Sequence, residues 1–392
     1  MKKKTKILSL ILAGILACGV TGSVIGIGVA QAGQRASIKK EELTISSLTD
    51  GATVALLDGE IYEFATTYKE KGDARKWAVG ENYSGDRYAP KKAKITWENK
   101  GAPAAYYTLS LGLKKDLSDA KDYITLNTEV DVENLLVAKK YYYQITAHYD
   151  EDTVVKSIVF SFNTADLPRT VWIEGVSNTR DLGGRKTVDG NYRVKQGMIY
   201  RGGNIDGITE NGKHVFLNVL GIKTDLDLRG NDVGITVSPA GENVNFIKVQ
   251  APFYYGHPSD ITSPDFKEAL TTEIRTFANP DNYPVYLHCN LGRDRAGTLS
   301  YLINALLGVG EQDLFRDFET SFFSRHGFVD AAQGQGTVLE LVGSLMALHN
   351  YLTSYGGGTL AQNTEAFCIN HLGITKAEID SIRNIMLEEV GA

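Results

Sequence analysis

Between Tyr283 and Val309 the chain reads YPVYLHCNLGRDRAGTLSYLINALLGV. An apolar run ends at His288-Cys289, a charged bend containing Gly292 follows, and Leu299, Leu302, Ile303, Leu306 and Leu307 then recur at helical spacing. A buried strand that turns tightly into a helix is a βα unit, and it needs a sheet and further helices around it. GIKTDLDLRG (Gly221–Gly230) and VNFIKVQ (Val244–Gln250) supply two more strands. SPDFKEALTTEIRTFA and TKAEIDSIRNIMLEEV are helical, the second opening with a capping box from Thr375 to Glu378. Residues 166–392 are therefore predicted to be an α/β domain, a central twisted sheet flanked by helices.

The bend lies where such folds bind ligands, at the carboxyl end of a strand and the N-terminus of a helix, whose free N–H groups favour an anion. Cys289 and Arg295 are separated by five residues, Asn290, Leu291, Gly292, Arg293 and Asp294. A loop of that length can wrap one tetrahedral oxyanion with its main-chain N–H groups while Arg295 binds two oxygens in a fork. The same positive field would stabilise a thiolate, making Cys289 a nucleophile toward phosphorus. His288 is expected to orient the loop by hydrogen bonding. This chemistry calls for no metal and no cofactor.

The rest of the chain bounds where that chemistry takes place. The net charge is −6, and the four lysines among the first six residues are the only charges before Arg35. The remainder is strongly acidic, which argues against nucleic acid as a partner. A basic start followed by an uncharged, mostly apolar stretch from Ile7 to Ala30 reads as a leader over residues 1–32. It allows cleavage after Ala32, lipid attachment at Cys18, or retention as an anchor, and each fate places the remainder outside the cytoplasmic membrane, secreted or attached to its outer face. Only the N-terminal segment would touch the membrane. Cys289 and Cys368 are the two cysteines beyond the leader, too few for a disulfide framework. Cys368, in TEAFCINHL, reads as helix packing.

Residues 33–165 form a second predicted region. AAYYTLSLGL, KYYYQITAHY and VVKSIVFSFNT are rich in β-branched and aromatic residues and are separated by turn clusters, with no helical period of any length. They predict an all-β sandwich preceding the α/β domain. ITWENKG, with Trp97 in the core, and the spacing of Leu135 to Tyr141 resemble a fibronectin type III module. Residues 63–90, with Trp77, do not fit that pattern and read as an insertion.

HCNLGRDRAG resembles the HC-x-x-G-K-D-R-T-G signature of bacterial secreted protein tyrosine phosphatases. NTRDLGGRKTVDGNYRVKQGMIYRGGNID (Asn178–Asp206) is similar to the family's N-x-R-D-L-G-G opening and later Y-R-S-G, and GIKTDLDLRG to its D-L-R strand. The resemblance covers roughly residues 170–390. It implies Cys289 as phosphocysteine carrier, Arg295 as phosphate clamp, and Asp294 as the acid that protonates the leaving oxygen and then the base that activates water. His288, Asn290, Leu291, Gly292, Arg293, Asp227 and Arg180 are expected around the phosphate, with Asn178, Asp181 and Arg229 at further family positions near the pocket. The alternative for Arg180, Asp181, Asp227, Arg229 and Asn178 is loop scaffolding, with an Asp–Arg pair ordering the cavity wall. Arg293 replaces the family's lysine, and such extra loop charge goes with substrates carrying several phosphates. Ala296 replaces a hydroxyl residue that can hydrogen-bond the departing sulfur, which predicts slower hydrolysis of the phosphoenzyme.

The expected activity is dephosphorylation of phosphotyrosine, extending to phosphoserine, phosphothreonine and phosphoinositides. An inositol-polyphosphate phosphatase or phytase using the same loop is the alternative. A surface protein with a degenerate, phosphate-binding domain is the reading from a different class. Retention of Cys289, Asp294 and Arg295 together argues against it.

Overall fold

The computed structural model describes residues 43–77, 87–150, 152–230, 233–252, 261–324 and 337–391. The expected leader lies outside them. Among the described residues no helix is long and apolar enough to cross a membrane. The chain divides into two compact units, residues up to 56 with 92–165, and residues 57–91 with 166–392.

The first unit is built from β1 (Leu43–Ile45), β2 (Thr53–Val54), β3 (Ala93–Asn99), β4 (Tyr106–Gly112), β5 (Lys121–Thr125), β6 (Glu129–Val132), β7 (Lys140–His148), β8 (Val154–Lys156) and β9 (Phe160–Thr164). One sheet has the order β1-β3-β6 and the other β2-β9-β7-β4-β5, with β8 beside β7. Period-two alternation decides what each strand buries. Ala93, Ile95 and Trp97 of β3 and Tyr141, Tyr143 and Ile145 of β7 all enter one apolar cluster, to which both sheets contribute. Trp97 meets Tyr107 edge to face at 5.4 Å, joining the sheets across that core.

The second unit carries a five-stranded sheet in the order β10 (Arg180–Asp181), β12 (Ile199–Gly202), β15 (Val285–His288), β13 (Thr224–Asp227), β14 (Asn245–Lys248). The pairs β12–β15, β15–β13 and β13–β14 are parallel, and β10 is an antiparallel edge. Its helices are α1 (Gly59–Thr67), α2 (Glu210–His214), α3 (Pro264–Ala278), α4 (Arg295–Leu306), α5 (Glu311–Thr320), α6 (Val338–Ser354), α7 (Leu360–Asn370) and α8 (Lys376–Met386). Central strand β15 is buried at all four positions and sends Val285 and Leu287 to one core and Tyr286 to the other. Both faces are therefore covered, as a parallel sheet requires. Every residue of α4 is buried, which fixes the helix that leaves the Cys289 bend.

Two expectations are corrected. The helix predicted through Val390 stops at Met386, because Leu387–Glu389 pair as strand β16 with β11 (Tyr192–Val194) and gain a ladder in exchange. The β-region predicted without helices contains α1 and a short 3-10 turn, Asp73–Lys76. Residues 57–91 bury Leu57, Ile61, Phe64, Ala65, Tyr68, Ala74 and Tyr88 in the core of the second unit, so they belong to it rather than to the strands on either side in sequence.

Candidate active site

Cys289 follows the last residue of β15, and Arg295 is the first residue of α4. Both are buried, and Cys289 and Cys368 are free thiols. Burial pushes the Cys368 thiol up to about 12, consistent with an inert packing residue.

The loop is held by its carbonyls. Asn290 O accepts from the N–H of Asn204 at 3.1 Å and from Asn204 Nδ2 at 3.1 Å. Leu291 O accepts from Asn178 Nδ2 at 2.9 Å. Gly292 O and Arg293 O accept from Arg201 Nη2 at 2.6 and 3.2 Å. Asp294 O accepts from the N–H of Thr298 at 2.9 Å. In a planar trans peptide the N–H points opposite to the C=O. Tying these carbonyls to the surrounding scaffold turns the N–H groups that follow them to the other side, toward the interior of the bend. Gly292 sits at φ +69°, and a Cβ there would collide with the backbone of Gly202, so glycine is required for the turn.

Arg201 is itself held, with Nη1 2.5 Å from Asp317 Oδ2. Asp317, on α5, also accepts from Arg180 Nε at 3.1 Å and Arg185 Nη2 at 2.7 Å. One carboxylate thus joins three buried arginines directly behind the loop. Burial opposes its ionisation, but Arg180, Arg201 and Arg185 outweigh burial and hold the carboxyl far below the usual carboxylate range.

Of the two roles open to Arg180, phosphate contact or scaffolding, this network fits the second. Its guanidinium donates to Asp317, to Asn178 O and Oδ1 at 3.2 and 2.5 Å, and to Ser321 Oγ at 2.8 Å. It holds Asn178 in place and is not turned to a phosphate. Asp227 likewise serves the scaffold, bonded at 2.9 Å by Arg229, which also binds Asp206. His288 is fully buried, with Nε2 2.9 Å from Asp225 Oδ1 and Nδ1 3.3 Å from Cys289 O. Burial lowers its proton affinity, yet Asp225 and Asp227 overcome this and the net direction is upward. Asp181, a further family position, is bonded by Arg169 at 2.6 Å. Asn290, Leu291, Gly292 and Arg293 form the loop itself.

Arg295 Nη1 donates to Leu228 O at 2.9 Å, anchoring the guanidinium at the end of β13. The Asp294 carboxylate is bound by Arg293 Nε at 2.6 Å. Sequence reasoning left Arg201, Asp317 and Asp225 without a role. Arg201 and Asp225 lie inside family-like stretches of the sequence, whereas nothing local marks Asp317. Thr298 Oγ1 donates to Asp294 O at 3.1 Å, so this hydroxyl is committed to the helix start.

Against known proteins, the pattern of the tyrosine phosphatase family matches residues 171–388, more than half of the chain. The chain belongs to the tyrosine phosphatase family. It is 27% identical over 165 residues to a Cupriavidus necator protein whose name places it among the tyrosine-protein phosphatases, covering 36% of this chain and 59% of that one. A Dictyostelium discoideum tyrosine-protein phosphatase by name is 32% identical over 56 residues, 14% of this chain and 34% of its own. The chain thus spans about a third to three fifths of these relatives. Among solved structures, it is similar to the core catalytic domain of the PP-IP phosphatase Siw14 from S. cerevisiae in complex with citrate. That likeness has 20% identity and a TM-score of 0.25, over 32% of this chain and 71% of that one. A second Siw14 catalytic core gives 22% identity and a TM-score of 0.24, over 39% and 88%.

Proposed function

We propose that this tyrosine phosphatase family member is an extracytoplasmic phosphomonoesterase acting on phosphotyrosine through a phosphocysteine intermediate. The observation that carries the reading is the bend from Cys289 to Arg295, whose carbonyls are tied to the surrounding scaffold so that the N–H groups following them turn toward its interior. The phosphoryl oxygens lie against those N–H groups and Arg295. The Cys289 thiolate attacks phosphorus, the bond to the leaving oxygen breaks, and Asp294 delivers the proton that oxygen needs. Water then attacks phosphorus and gives its proton to Asp294. The S–P bond breaks, releasing phosphate and restoring the thiolate. Arg293 pairs with Asp294 here; drawn to the incoming phosphate, it would release Asp294 to take up from solvent the proton that it then delivers to the leaving oxygen.

A second reading, an inositol-polyphosphate phosphatase, is favoured by Arg293 alone, a planar guanidinium fork in the loop where the family has a lysine. The N-terminal leader supports placement outside the cytoplasmic membrane. The first unit is read as a sandwich of the fibronectin type III kind. Support comes from two sheets on one core, Trp97 within it, and the Tyr141 hydroxyl accepting from the N–H of Leu136 at 2.8 Å.

The test is phosphate release by the full chain with EDTA and a reductant, from phosphotyrosine peptide, phosphoserine peptide, a phosphoinositide and phytate, beside Cys289→Ser. Release from the phosphotyrosine peptide that Cys289→Ser abolishes is expected. A preference for phytate would move the assignment to the second reading, and release that survives Cys289→Ser would remove the thiol mechanism. Ala296→Thr should accelerate phosphoenzyme decay by about tenfold, the scale of one added hydrogen bond to a charged group. An unchanged decay rate in single-turnover experiments would show that the hydroxyl is not missed.

A further inference from the structure

Residues 57–77 precede the stretch matched by the family by about ninety positions, yet they pack into the core of the catalytic unit. Their polar contacts converge on one face of α5, while Phe64 packs on Phe323 and Gly72 lies against Leu339 of α6. Gln312 Nε2 donates to Tyr68 O at 3.0 Å, and Arg316 Nη1 donates to Ala65 O at 3.0 Å. Lys71 pairs with Glu311 and lies 4.7 Å over the Phe315 ring. Glu319 makes the most specific contact. Its buried carboxylate accepts from the Tyr68 hydroxyl at 2.8 Å, the N–H of Gly72 at 2.7 Å and the N–H of Ala74 at 2.9 Å.

Two residues earlier on the same helix stands Asp317. At about 100° per residue the two side chains point to nearly opposite sides. Asp317 holds Arg180, Arg185 and Arg201, and Arg201 holds the carbonyls of Gly292 and Arg293. Phe318, between them, packs against Gly297 of α4 so closely that a Cβ there would lie 2.8 Å from its ring. Helix α5 is thus gripped by residues 57–77 on one side and sets the phosphate loop on the other. A second route runs through Tyr88, buried, whose hydroxyl donates to Val176 O at 3.3 Å. Val176 lies two residues before Asn178, which holds Leu291 O.

We propose that residues 57–77, through the contact of Tyr68, Gly72 and Ala74 with Glu319, are a positioning element for the phosphate loop, fixing α5 and so the Asp317–Arg201 clamp. The inference rests on the phosphatase reading above. Tyr68 and Glu319 are positioning residues, acting through α5 and not on the substrate. The chain runs from the first unit into this segment and back again before residue 92, so the catalytic unit is completed by a piece of sequence inserted between two strands of the other.

The test compares full-chain Tyr68→Phe and Glu319→Gln with wild type and with Ile382→Val, a buried substitution on α8, which packs on α3, that lowers thermal stability. Turnover of para-nitrophenyl phosphate and the affinity for inorganic phosphate by calorimetry are measured well below every melting temperature. Tyr68→Phe and Glu319→Gln are expected to lower kcat/KM and weaken phosphate binding by about tenfold, with Ile382→Val within about twofold of wild type. Values for all three that fall only with melting temperature, or do not fall, would overturn the proposal. Should wild type show no Cys289-dependent release, the phosphatase reading fails while phosphate affinity still judges the positioning. Equal affinity in wild type and Tyr68→Phe would then overturn it, and a wild type that binds no phosphate overturns both.

Discussion

Asp317→Asn is expected to destabilise the catalytic unit by about 3–5 kcal/mol, the range for removing one partner of a buried ion pair. The replacement keeps shape and one acceptor oxygen but removes the charge that the three buried arginines share. Arg180 is already disfavoured as a cation, by burial first and by Arg201 next, so the unneutralised cluster has no inexpensive rearrangement. Arg201 would lose the partner that aims it at the loop, and activity should fall by about a hundredfold, as for a misplacement of reacting groups by roughly an ångström. Urea unfolding and phosphate release measure the two effects. Stability within about 1 kcal/mol of wild type would show that the cluster is balanced by other means.

The same carboxylate has a pH signature. Its folded-state pKa is depressed, so its stabilising contribution is fully present above the unfolded value of about 3.9 and is lost as pH falls below that toward the folded value. The wild type should therefore lose stability more steeply in that acid range than Asp317→Asn does.

Gly292→Ala is the second large expectation. The methyl group would collide with the backbone of Gly202 on the neighbouring strand while forcing a side chain into a positive-φ backbone. Strand β12 is tied into the sheet and cannot retreat, so the loop must open. An opened loop no longer presents a ring of N–H groups, and losing even one oxyanion donor reduces turnover by about a hundredfold or more. Activity should drop by at least that factor, whereas the melting temperature falls only modestly, because the strain is local. Retention of more than about a tenth of wild-type turnover would mean that the N–H cradle is not what stabilises the reacting phosphate.

The two substitutions also differ in how visible their sites are in the sequence. Gly292 was legible because everything around it is consecutive: a strand, a thiol, a turn residue, an arginine and a helix within a few positions. Asp317 was not, since DLFRDFET reads as one more amphipathic helix and its three arginines lie 116 to 137 positions upstream. The α1 segment falls between these cases. Ile61, Phe64, Ala65 and Tyr68 have helical spacing in GEIYEFATTY, but nine residues flanked by turns and set among strands give a weak signal. Their partner, Glu319, lies 251 positions away from Tyr68.

Arg180, Asp227 and His288 show the remaining limit. Their types and positions marked them as belonging to the site; His288 touches the loop at Cys289 O, whereas Arg180 reaches it through Asn178 and Asp317, and Asp227 lies beside His288. A sequence cannot say which way a side chain turns: Arg180 turns to the Asp317 carboxylate, His288 to that of Asp225, and Asp227 to the guanidinium of Arg229. By itself the sequence determined the bend from Cys289 to Arg295, because the order of thiol, glycine, arginine and helix start is set by short-range covalent spacing and backbone conformation. The tertiary structure alone decided what holds that loop in place, since buried charges choose their partners by proximity in the packed core, which sequence separation does not measure.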